Sequence, residues 1–115
     1  MPELRLKTQK PNCIFKELKY KFYKIRGLQR LGNFEAKEAI IDLKKALALE
    51  TKDKEIHFAL ACAYSLLEET DLGFYHLHCI AKYTKRYKND ILTNDKLAFL
   101  RTQAKYEAFY KSYLI

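Results

Sequence analysis

The sequence predicts an all-α protein made of antiparallel helix hairpins, on three observations. Apolar residues recur at intervals of three and four along most of the chain, the period of a helix buried on one face. No segment alternates apolar and polar residues as a half-buried strand would. Only 3 Gly and 2 Pro occur in 115 residues, too few to turn the successive hairpins of an all-β fold. The length fits one domain, and a hydrophobic content of 49%, with 9 Tyr and 7 Phe, supplies its core. Disordered and collagen-like classes are excluded by the same composition.

Residues 1–11 read as a basic tail bounded by Pro2 and Pro11, and residues 12–115 as a single helical domain. Asn12 is a candidate cap for a first helix reaching about Leu31, whose apolar face is Phe15, Leu18, Phe22, Ile25 and Leu28. Gly32-Asn33 ends it. A second helix runs from about Phe34 to Leu49, with Ala36, Ala39, Ile40, Leu43, Ala46 and Leu47 inward. Thr51 to Asp53 form a turn in which Asp53 caps a third helix, carried to about Leu67 by Ile56, Leu60, Ala63 and Tyr64. After a turn at Glu68 to Asp71, a fourth helix runs from about Leu72 to Tyr87. Lys88 to Asn94 is polar and reads as a loop, and two short helices follow near Asp95–Leu100 and Gln103–Leu114. Short turns between helices of this length make neighbours antiparallel.

A repeat period of about 34 residues relates the two hairpins by residue class. It carries Tyr23 onto His57, Gly27 onto Ala61, Ala39 onto Gly73, Leu43 onto Leu77, Ala46 onto Ile80 and Leu47 onto Ala81. Small residues fall on small ones where helices approach closely.

This pattern resembles the tetratricopeptide repeat (TPR) family. In the unit at about 54–87, Leu60-Ala61 stands at the family's Leu-Gly pair, Tyr64 at the first-helix aromatic, and Gly73, Leu77 and Ile80 along the second helix. In the unit at about 20–53, Tyr23, Gly27, Ala39, Leu43 and Ala46 fit, with Arg26 and Arg30 where Leu and Tyr are usual. Thr51 and Lys85 stand where the usual closing Pro would be. Thr93-Asn94-Asp95, Leu97, Leu100-Arg101, Tyr106 and Phe109 resemble the segment that closes many bacterial TPR arrays, which makes residues 88–115 a cap over the exposed face of the last pair.

The resemblance implies a short superhelix whose first helices line a concave groove. Its positions are Lys21, Lys24, Leu28 and Leu31 in the first unit and Glu55, Phe58, Cys62 and Ser65 in the second. Lys24 matches one position of the family's carboxylate clamp, but Leu28 and Cys62 stand where Asn is needed, so no clamp is expected. An apolar floor edged by lysines suits an amphipathic or acidic-apolar segment. The function this implies is a non-catalytic protein–protein interaction module or scaffold, with no cofactor and a protein or peptide partner.

The net charge of +8 is uneven. Residues 1–30 carry nine Lys/Arg against two Glu, residues 31–81 five against nine acidic groups, and residues 82–115 eight against three. Lys16, Lys19, Arg26 and Arg30 make a stripe on the first helix that supports a rival reading, a basic accessory protein on nucleic acid or another polyanion. The other reading of that stripe is the solvated face of an amphipathic helix.

Catalytic constellations are weak. His76, His78 and Cys79 crowd together, but residues two apart on a helix point about 200° apart. His76 and Cys79 share a face, with Cys62 and His57 the only further ligands to hand. Structural zinc usually draws four ligands from paired spacings, so the expectation is that zinc or chelator leaves the melting temperature unchanged. A Cys–His nucleophile lacks an oxyanion hole, no glycine-rich phosphate loop exists, and the chain is not expected to be an enzyme. Three cysteines occur without a CxxC, and no signal-peptide pattern is present. No apolar run approaches the length of a membrane-spanning helix, about 20 residues. These features point to a cytoplasmic protein that does not span a membrane. Tyr106, Phe109, Tyr110 and Tyr113 form one aromatic face, expected to pack on Leu77 and Ile80, with a homodimer contact as the rival.

Overall fold

The computed structural model describes residues 11–115, so residues 1–10 of the expected tail lie outside the described residues. The helices are α1 Pro11–Gly32, α2 Ala36–Leu49, α3 Lys54–Leu66, α4 Thr70–Cys79, α5 Thr84–Thr93, α6 Ala98–Arg101 and α7 Ala104–Phe109. Short 3₁₀ turns occupy Ala81–Tyr83 and Asp95–Leu97, and a π-helical turn, Tyr110–Leu114, follows α7. No strand occurs among the described residues. Asn12 falls inside α1 and not ahead of it. The Asp53 cap is made: its carboxylate accepts the Ile56 N–H at 3.0 Å.

The turns closing α1 and α3 match bond for bond, at the same offset that carries Gly27 onto Ala61. Phe34 N–H donates to Leu31 O at 2.9 Å and Glu35 N–H to Arg30 O at 2.9 Å; Glu68 N–H donates to Ser65 O at 3.0 Å and Glu69 N–H to Tyr64 O at 2.9 Å. These are the paired bonds of the Schellman motif, which needs a left-handed residue just past the helix. Phe34 (φ 62°) and Glu68 (φ 59°) supply it, although glycine is the residue best suited to it. The expected breaker, Gly32, is the last residue of α1 and has no positive φ, so α2 begins at Ala36 and not at Phe34.

Two of the three glycines serve helix contact instead. A Cβ on Gly27 would lie 2.8 Å from the Leu43 side chain and 3.2 Å from its backbone nitrogen; one on Gly73 would lie 2.8 Å from a Leu100 methyl carbon. Gly27 therefore sets how closely α1 lies on α2, and Gly73 seats the C-terminal segment on α4.

α3 is the central helix, packed between α2 and α4 with α1 along one edge. Residues 95–101 lie across α3 and α4 and bury Leu97 and Leu100. Phe109 is buried beside Phe74, ring centroids 6.2 Å apart, and His78 at 5.3 Å, while Tyr106 is half-buried and Tyr110 and Tyr113 remain exposed at the rim. The molecule measures 57 × 29 × 20 Å, with a radius of gyration of 16.6 Å. A compact chain of similar size has about 13 Å.

Two further expectations are corrected. The fourth helix is not continuous over 72–87: α4 stops at Cys79, and α5 covers residues 88–93, where the sequence predicts a loop. The break turns the chain back, so that Ile91 is buried and Tyr87 stacks on Phe58 at 5.2 Å. The second correction concerns the apolar face of α1. Phe15, Leu18, Phe22 and Ile25 are exposed, and α1 packs instead through Tyr20, Tyr23, Gly27, Leu28 and Leu31. Both sets recur at three and four; the one containing the glycine permits the closer approach.

Candidate functional site

The groove expected from the resemblance has a physical counterpart of ≈ 240 Å³ between α1, α3 and the turn after α5. Leu28, Leu31, Glu55, Phe58 and Cys62 line it, together with Gly32, Ala59, Asn94 and Lys96. Lys24 sits at its edge, salt-bridged to Glu55 at 2.9 Å, and Lys21 is further out, 3.4 Å from Glu17. Ser65 is not a groove residue. It is buried, and its hydroxyl accepts the Leu100 N–H at 3.4 Å, because the C-terminal segment crosses α3 at that point.

Lys24 is held by more than Glu55. Its ammonium donates to Asp53 at 2.8 Å and lies 3.5 Å from the Tyr20 hydroxyl, which itself donates to Asp53. Burial works to lower the Lys24 pKa, and the hydrogen bonds to Asp53 and Glu55 overcome it, so the ammonium is held above its ordinary value. Burial likewise works to raise Asp53, and the bonds from Lys24, Tyr20 and the Ile56 N–H bring it below the usual carboxylate range. One carboxylate thus caps α3 and ties α1 to it.

The basic stripe on α1 is divided by a buried acid. Asp42 is fully buried on α2, and Arg26 grips it with two hydrogen bonds of 2.9 and 2.8 Å. Arg30 adds an ion pair at 3.3 Å. The Arg26 hydrogen bonds are the main reason the Asp42 pKa is lowered, against burial. A bidentate guanidinium on a buried carboxylate fixes the α1–α2 register. Arg26 and Arg30 are committed to that pair, which leaves Lys16 and Lys19 as the outward cations of the stripe.

The exposed side of α1 carries the largest concentration of outward apolar side chains. Ile14, Phe15, Leu18, Phe22 and Ile25 are each more than half exposed. At about 100° per residue they cover one face, roughly opposite Tyr20, Gly27 and Leu31. Lys19 and Arg26 border it on one side and Lys21 on the other. α1 is therefore apolar on two opposite faces, and the described chain covers one of them.

The histidines divide. His78 faces Phe109 and Tyr113, with ring centroids at 5.3 and 5.6 Å. His57 and His76 are buried against each other, Nδ1 to Nδ1 2.9 Å, and the His57 Nε2 faces the Thr51 carbonyl oxygen at 2.9 Å. Burial, with His57 and Lys44 nearby, lowers the His76 pKa to about 4. Burial raises the Cys62 thiol to about 12, which makes it a packing residue and a poor nucleophile. Sequence spacing names His57 only as a spare candidate and does not predict its contact with His76, which is made across two helices. Nor does it single out Asp42, whose place on the inward face of α2 is the available signal.

No helix among the described residues is long and apolar enough to cross a membrane. The chain matches no family model, no curated protein and no solved structure.

Proposed function

We propose that the protein is a non-catalytic interaction module of TPR-like construction that binds a segment of a protein partner. One observation carries the reading: the second apolar face of α1. Five large apolar side chains standing in water on one helix face exceed the scattered single residues a monomer surface normally carries, and such patches mark association sites. Lysines border this face on both sides, so the complementary occupant is an amphipathic helix whose apolar stripe is flanked by Asp and Glu. The groove at Phe58 adjoins the face through Leu28, three residues from Ile25, and forms the second part of the binding surface. The recurrence of the turn hydrogen bonds at the repeat offset supports the repeat reading. The free thiols of Cys13, Cys62 and Cys79 support a reducing, cytoplasmic setting. The polyanion reading is the weaker one, because Arg26 and Arg30 are bound to Asp42.

The test is calorimetric titration of the full chain with a synthetic amphipathic helix bearing an acidic border. Phe22→Glu should abolish binding and Phe58→Glu should weaken it, with the helical signal of both variants unchanged. Binding that ignores both substitutions and weakens steeply with salt would replace this reading with the polyanion one.

A further inference from the structure

His57, His76 and Cys79 converge where the start of α3 meets the end of α4, on the side of α3 opposite Glu55, Ala59 and Cys62. Each offers one ligand atom, and these atoms lie within 4.8 Å of one another. The Thr51 carbonyl can only accept a hydrogen bond, so the His57 Nε2 carries the proton and its Nδ1 presents a lone pair toward His76. Metal-bound histidines are held in this way, with the far nitrogen tied to a carbonyl and the near one left as a donor of electrons. The His76 ring is fixed in its turn, stacked on Tyr64 at 5.7 Å and edge-on to Tyr75 at 5.0 Å. Two ligands are thus preorganised and buried, while Cys79 is exposed at the last position of α4 and can rotate toward them.

We propose that His57, His76 and Cys79 form a zinc site that clamps α3 to α4. Two imidazoles and a thiolate are a donor set for a borderline-soft ion and not for Mg²⁺ or Ca²⁺. Zinc–nitrogen bonds of about 2.0–2.1 Å and a zinc–sulfur bond of about 2.3 Å in a tetrahedron separate the nitrogens by about 3.3 Å and each from sulfur by about 3.6 Å. The two rings need to part by a few tenths of an ångström from their 2.9 Å approach, and the thiol needs to move inward. On binding, the proton on the His76 Nδ1 passes to its Nε2, and the Cys79 thiol gives its proton to solvent. The ion takes both Nδ1 atoms and Sγ, and a water fills the fourth position. One proton leaves per ion bound, and the thiolate offsets the repulsion from nearby Lys44. The expectation from spacing that zinc is without effect treats His57 as one spare candidate among two; the hairpin seats it against His76. The site stands independently of the binding face on α1.

The experiment uses the full chain stripped with chelator, with Co²⁺ as the spectroscopic probe, Zn²⁺ as the competitor and iodoacetamide as the thiol probe. One equivalent of Co²⁺ should produce a thiolate-to-metal charge-transfer band that Zn²⁺ removes. Zinc should slow alkylation of Cys79 by at least about tenfold and leave Cys13, also exposed, unchanged as the internal control. Cys79→Ser, an exposed change that leaves the core intact, should abolish the band and weaken zinc binding by at least about tenfold. Absence of the band, equal zinc dependence at Cys79 and Cys13, or a Cys79→Ser chain that binds zinc like the parent would overturn the site and leave the His57–His76 contact as a structural hydrogen bond.

Discussion

The two hairpins share a turn and differ in what surrounds them. α1–α2 and α3–α4 close through the same pair of backbone hydrogen bonds, one repeat apart, with a left-handed residue at the same place. Yet from Ile56 to Ser65 every residue of α3 except Phe58 is buried, whereas α1 buries little beyond Gly27 and Leu31. The local code is the same; the neighbours are not. α3 has α2 on one side and α4 with the C-terminal segment on the other, and α1 stands at the end of the stack with nothing from the described chain on its outer face. At the end of the stack α1 keeps the apolar pattern of a buried helix and turns part of it outward, the face on which the proposed function rests.

The largest effect should separate the two helices. Leu60→Ala, at a fully buried position of α3, should cost about 2–5 kcal/mol by urea denaturation, while Phe22→Ala on the outer face of α1 should stay within about 0.5 kcal/mol. Equal costs would erase the distinction.

The inner face of α1 is the next place to look. Gly27→Ala should cost about 1–3 kcal/mol through overpacking against Leu43, despite alanine's better helix propensity. Gly73→Ala meets only the tip of the Leu100 side chain and should cost less.

Acid should then loosen the ties of α1 to the rest. Asp42 and Asp53 both have pKa values below their ordinary 3.8 in the folded chain. The unfolded chain therefore takes up protons first as pH falls, so these groups contribute their full stability above about pH 3.8 and lose it as pH falls through the folded values. Asp42→Asn should reduce that acid dependence in urea midpoints measured from about pH 5 downward.

The smallest effect is common to both hairpins. Phe34→Gly and Glu68→Gly place the preferred residue at each left-handed position, and each should raise stability by up to about 1 kcal/mol. A gain at one turn and a loss at the other would show that the turns are less alike than their hydrogen bonds.

Much of this is legible in the sequence because it is local. The helix period, the Asp53 cap and the repeat relation between small positions depend on residues within a few turns of one another or on a simple offset. The face of α1 that packs is misjudged because two stripes satisfy the same period, and the choice rests on Gly27 meeting Leu43 and on Arg26 and Arg30 reaching Asp42. Five of the eight groove positions line the groove, and Ser65 does not, since it is covered by a C-terminal segment distant in sequence. The break after Cys79 escapes the sequence because nothing local forbids a helix through residue 87; what it gains, Ile91 in the core and Tyr87 on Phe58, is made with residues distant in sequence.

Oxidative footprinting of phenylalanine side chains in the full chain, repeated over a range of protein concentrations, tests the central claim most directly. Phe15 and Phe22 should oxidise readily at every concentration, and Phe74 and Phe109, both buried, should stay protected. Protection of Phe15 and Phe22 to the level of Phe109 would contradict the account, since the outer face of α1 would then already be covered by the chain itself or by a second copy.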